Sequence, residues 1–309
     1  MKPISSRRTS GAALTKLAAA LALSVGTPCP FASPLNGQAP QPIGAPSLPP
    51  KQIVAEAAEH EVKFLHYGPP YVRYHMHVID AKGDQVRDVI QSQDGAVARL
   101  IARDNRPLTA EEDAAERNRL QAMIDSPATY LRHAKGDASG KKVAADLIRL
   151  IPDAMIFTYA PAQPQREAQP QRAGAGSAAE IVIDYKPDPA WSPPTIPSGA
   201  LTGIEGRMWI DAKTHALIAI EGHIFRAVNF GFLIAHIDPG GTLTVQQSEV
   251  APNKWFFAHF VEHLTVRVPL IFKTIHENSD VTSSDFTTVN PMPFQDAIRM
   301  LLATPLPNR

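Results

Sequence analysis

Five consecutive residues, His259-Phe260-Val261-Glu262-His263, reproduce the H-x-x-E-H spacing of a zinc hydrolase. On a helix, positions i and i+4 lie one turn apart, and two histidines can share one metal there. Their neighbours argue for a strand instead. Trp255-Phe256-Phe257-Ala258 precede them and Leu264-Thr265-Val266-Arg267-Val268 follow, an aromatic and β-branched stretch with alternating character. Four residues of strand would separate the histidines by about 13 Å, too far for one ion. His75 and His77 lie two apart on one predicted strand, with no third ligand identifiable, and read as half-buried histidines. No Gly-x-Ser-x-Gly elbow, Walker loop or dinucleotide fingerprint occurs. Asp84, Asp94, Asp104, Asp211 and Asp238 sit mostly at expected turns. The residues therefore assign no catalytic group, no metal and no cofactor.

The remaining chemistry is apolar. Met208, Ile210, Leu217, Phe225, Phe230, Phe232, Phe256 and Phe260 are expected to line a lipid-sized cavity. Taken singly, each is ordinary core. As a set they fall on strands that are apolar on both faces: Leu217 and Phe225 alternate with Ile218, Ile220 and Ile224. A sheet of that kind needs a cover on each side. Helices supply one, and a cavity or barrel interior supplies the other.

These side chains have to be placed by a strand-rich chain. Of 309 residues, 44% are hydrophobic, and Lys+Arg and Asp+Glu both number 30. That balance gives no basic field for nucleic acid or an anionic membrane. Residues 1–33 read as an export signal: Lys2, Arg7 and Arg8, then an apolar run from Ala12 to Val25, then small residues near Ala32. The run is too short to span a bilayer. Arg7-Arg8 lacks the hydrophobic pair of a twin-arginine signal, and Gly26-Thr27-Pro28 before Cys29 makes a poor lipobox. Cys29 is the only cysteine, so cleavage after it removes every thiol. The expected setting is a bacterial periplasm, without a transmembrane span. Residues 34–50 read as a Pro-rich disordered linker, 51–309 as one domain, and 161–178 as a flexible Gln/Pro/Ala insertion within it.

Within the domain, a helix is expected over Gln52 to about Leu65, then a meander of three strands between Tyr71 and Arg103. Thr109 and Glu112 form a capping box for a helix reaching about Ile124. Two further helical stretches cover Ala128–Ala134 and Lys141–Leu150. Strands follow at 155–159, 180–185, 205–211, 216–228, 230–237, 242–250, 254–268 and 270–286, then a last helix from Asp296 to Leu302. The fold class is α+β: one large curved antiparallel sheet of about ten to eleven strands, a half-open barrel, capped by about three to four helices.

Gly206 to Asp211, Gly240 to Leu243, Gln247 to Trp255 and Ser284-Asp285-Phe286 resemble a set of exported bacterial proteins of unknown role, frequent in soil acidobacteria. So do Asp94 through Glu112 and Leu147 to Ala154, and the likeness covers roughly residues 55–300. In overall pattern these proteins look like the LolA/LolB/RseB superfamily. That resemblance implies a half-closed antiparallel barrel capped by helices around a hydrophobic cavity, and a role in carrying lipoprotein acyl chains or sensing envelope components. It carries over no residue of known role. The functional expectation is a non-enzymatic periplasmic protein that binds a lipid, an acyl chain or another hydrophobic ligand. An envelope sensor or scaffold binding another protein, and an enzyme using polar groups on the same face, stay open as alternatives.

Overall fold

The computed structural model describes residues 48–67, 70–161, 179–230, 235–251, 254–269 and 272–307. The expected signal and Cys29, most of the linker, nearly all of the 161–178 insertion, and Phe232 lie outside the described residues.

Among the described residues thirteen strands form one antiparallel sheet, which does not close. In chain order they are β1 (Val72–Asp80), β2 (Gly83–Ser92), β3 (Gly95–Arg103), β4 (Arg106–Pro107), β5 (Met155–Tyr159), β6 (Glu180–Pro187), β7 (Ile204–Asp211), β8 (Leu217–Ile224), β9 (Val228–Asn229), β10 (His236–Ile237), β11 (Thr242–Ala251), β12 (Lys254–Val268) and β13 (Lys273–Thr288). The spatial order is β4-β3-β2-β1-β13-β12-β11-β8-β7-β6-β5, with β9 paired to β10 and β10 to β12 beside that path. The pairings among the described residues are antiparallel, and for successive strands such as β1–β2, β2–β3 and β7–β8 their short turns require it. The count exceeds the sequence expectation because two-residue strands such as β4, β9 and β10 are too short to show a period. The expected strand at 230–237 is reduced, among described residues, to His236–Ile237.

Among the described residues four α-helices flank the sheet: α1 (Pro50–Tyr67), α2 (Ala110–Asp125), α3 (Pro127–Ala154) and α4 (Phe294–Ala303). A 3-10 turn spans Pro197–Thr202. The two stretches expected at 128–134 and 141–150 are one continuous helix, α3. The glycines and short polar residues between them weaken the periodicity without ending the helix. α4 presents Phe294, Ala297, Ile298 and Leu301 at i, i+3, i+4 and i+7, all fully buried against Ile90, Val97, Leu120 and Tyr130. Alternation puts Val89 on the opposite face, packed with Val72, Tyr74 and Phe260. α2 and α4 therefore cover one face at the β2–β3 end.

At the other end, Ile53, Val54 and Ala57 of α1 pack on Ile181, Ile183, Met208 and Ile210. Behind them Val182, Trp209, Ile218 and Ala219 form a separate cluster. Both faces of β6–β8 are apolar, as the sequence pattern required. α3 links the two ends: Tyr130 stacks on Phe294, with centroids 4.0 Å apart, while its second half reaches the strands at the far side.

Candidate functional site: an apolar cavity with a buried carboxylate

Ala144, Leu147, Ile148 and Ile151 repeat at i, i+3, i+4 and i+7 along the second half of α3. They do not close on the sheet. Between them and the strands lies a partly enclosed cavity of about 180 Å3. Its wall draws on β5 to β8 through Met155, Ile204, Met208, Ile220 and Ile224. The strands β9 to β13 add Val228, Ile237, Leu243, Leu264, Val266, Val268 and Ile275. A dry cavity of about 150 Å3 with a comparable lining accepts a benzene ring, so this space suits a ring or a short run of methylenes.

Of the described lining residues, only Tyr185, Glu262 and Glu277 carry a polar group. Along β12, Phe260, Glu262, Leu264, Val266 and Val268 share one face. Glu262 is therefore a carboxylate in an aliphatic row, 4% exposed. Its neighbours across the sheet are Leu243 on β11 and Ser279 on β13. Glu277 pairs with Leu264, two positions further along β13, which makes it the diagonal neighbour of Glu262 at about 7–8 Å. Burial, and then the Glu277 charge, push the Glu262 carboxyl up to about 7.

Tyr185 owes its position to two glycines. Gly206 and Gly222 face each other across β7 and β8, and a methyl group at either would meet the Tyr185 hydroxyl at 2.9 and 3.0 Å. That hydroxyl donates to the Glu221 carbonyl at 2.9 Å, and burial raises the phenol's pKa. The Gly206–Asp211 segment is thus scaffold around the cavity. Trp209 packs in the cluster behind it. Asp211 caps the turn, its Oδ1 accepting from the Lys213 and Thr214 amides at 3.1 and 2.7 Å.

The residues expected to line a cavity are divided by the fold. Met208 lines it. Ile210 is buried with the α1 cluster and Leu217 packs against that cluster. Phe230 is buried with Val228 and Val266, and Phe256 and Phe260 are buried beside Tyr74. Phe225 is 38% exposed, with the Arg226 guanidinium 5.6 Å from its ring centroid. Phe232 lies outside the described residues.

The H-x-x-E-H residues lie on β12, as their alternation indicates. His259 meets Asp280 at 3.2 Å and His263 meets Asn278 at 3.1 Å, on the face opposite to Glu262. His75 pairs with Asp285 and His77 with Asp84. Among the described residues no group of three His, Cys, Asp or Glu side chains could hold a metal ion. Glu262 was not among the sequence candidates. The signal for it was present: one carboxylate in phase with Phe260, Leu264, Val266 and Val268.

Comparison with family models, with curated proteins and with solved structures finds no match for this chain. Among the described residues, no helix is long and apolar enough to cross a membrane. Chemically, the site offers apolar contact over nearly its whole wall and a carboxylate pair at one place on it.

Proposed function

We propose that this protein binds a hydrophobic ligand, such as a lipid or an acyl chain, by taking an apolar portion of it between α3 and the sheet. The observation that carries this reading is the cavity of about 180 Å3 whose described lining is aliphatic except for three side chains. Core side chains normally interdigitate with few voids larger than water, so an unfilled apolar space of this size forgoes contacts that a ligand restores. The export signal expected at residues 1–33 and the two-sided apolar strands fit an envelope carrier or receptor for such a molecule. A role in handing it to a further envelope component is part of the same proposal.

Isothermal calorimetry with a neutral amphiphile, decan-1-ol below its aggregation threshold, tests this directly. Binding to the wild type is expected, accompanied by a rise in Tm that grows with ligand concentration. Ala144→Phe, which places a ring in the cavity from α3, should abolish both effects while the protein remains folded. Equal binding to the wild type and the filled variant would remove the cavity from the mechanism.

A further inference from the structure

The cavity wall is not chemically neutral. Glu262 and Glu277 stand diagonally on one face of β12 and β13, and no cationic side chain lies among the described lining residues. Lys273 shares that face of β13 but sits four positions away at the strand's end, exposed. Glu262 is more than nine-tenths buried, and among the described residues no donor reaches its carboxylate. Tyr185, the third polar group, directs its proton to the Glu221 carbonyl. A buried carboxylate with no partner is costly and is usually compensated. Here the open space beside it is the cavity itself.

We infer that the ligand is a cationic amphiphile, with an apolar body filling the cavity and an amine-type head seated against Glu262 with Glu277 beside it. The inference rests on the cavity-binding reading above and narrows its ligand class. An ammonium has three donors and no acceptor, so it can satisfy one carboxylate and offset the charge of the second. A hydroxyl head would supply a single hydrogen bond and leave both charges in place. A free fatty acid would bring a third negative charge to the wall.

Three ligands of one chain length separate the possibilities: decan-1-amine, decan-1-ol and decanoate, titrated calorimetrically at pH 8 into wild type, Glu262→Gln and Glu277→Gln. The amine is expected to bind the wild type at least about tenfold more tightly than the alcohol, with decanoate weakest, as a charged hydrogen bond in a buried site implies. Glu262→Gln should bring the amine to the alcohol's affinity and leave the alcohol unchanged, and Glu277→Gln should reduce the amine's advantage in part. The Tm of each variant confirms that it is folded. Equal affinities of amine and alcohol for the wild type, tightest binding of decanoate, or an amine preference that survives both substitutions would overturn the cationic head and leave the hydrophobic cavity standing. Failure of all three ligands to bind would overturn the cavity reading, and this inference with it.

Discussion

Glu262 is the residue at which folding and the proposed binding conflict most directly. The group is ionised with a pKa near 4.5 in the unfolded chain and near 7 in the folded one. Between those values the native state holds the extra proton, so stability falls as pH rises from about 4.5 to 7. The full contribution is present below 4.5 and absent above 7. At 1.36 kcal/mol per unit the loss is about 3 kcal/mol. Glu61, which burial also pushes up to about 7 although the Gln247 amide donates to it, acts in the same direction. The diagnostic quantity is therefore a difference between two proteins. Glu262→Gln is expected to be more stable than wild type by up to about 3 kcal/mol at pH 8 and equal to it at pH 4, in urea titrations without ligand. A difference independent of pH would show that Glu262 is not raised. Nearby, Gly206→Ala should lose about 3 kcal/mol or fail to fold, since the new methyl would stand 1.9 Å from the Glu221 carbonyl oxygen. The motif in which Glu262 stands was legible, and so was its strand. Its importance was hidden because the H-x-x-E-H spacing draws attention to the histidines, which face away from the cavity.

Among the elements, those with strong local signals matched their sequence reading closely. α2 begins as its capping box requires: the Glu112 amide donates to Thr109 Oγ1 at 3.2 Å, and the Thr109 amide donates to Glu112 Oε2 at 2.8 Å. Arg106 holds the Glu112 carboxylate with both guanidinium ends and, with the Thr109 amide, lowers its pKa to about 2. Thr109→Ala should cost about 1 kcal/mol, read as a shift in the urea midpoint without a change in slope. Contacts made through tertiary structure were invisible beforehand. Arg99, fully buried, donates to the Leu301 and Thr304 carbonyls, both at 2.6 Å, and to Asp113 at 2.8 Å. Those carbonyls lie at the C-terminal end of α4, where a cation is favoured. Arg99→Met leaves them and Asp113 without that donor, and a loss of about 3 kcal/mol or more is expected in the same titration. The course of α3 escaped the sequence for a related reason. Its polar middle gives no apolar period, and its course is set by tertiary packing, on Phe294 through its first turn and on α1 and the cavity wall through its second half.

The molecule as a whole is organised by one long-range pairing. Antiparallel sheet and flanking helices followed from alternation and turn residues. The strand order did not, because short-range turn chemistry says nothing about which distant strands become neighbours. β1 lies beside β13 and not beside any strand of the middle of the chain, with Val72 opposite Thr288. The cavity inherits this plan, taking wall residues from α3, from β5–β8 and from β9–β13. A chain ending at residue 272 lacks both β13 and α4. It should show no cooperative unfolding transition by circular dichroism, whereas the full chain should show one. Loss of β13 alone would expose β12 along Phe260 to Val268 and deprive β1 of its inner neighbour. A sheet whose first long strand must wait for its last also has a kinetic signature. Pairs so far apart along the chain are made late and slowly. During synthesis, β1 to β4 can form their local meander but cannot join the rest until β13 has emerged. The cavity, which takes Ile275 and Glu277 from β13, is thus completed only at the end of folding.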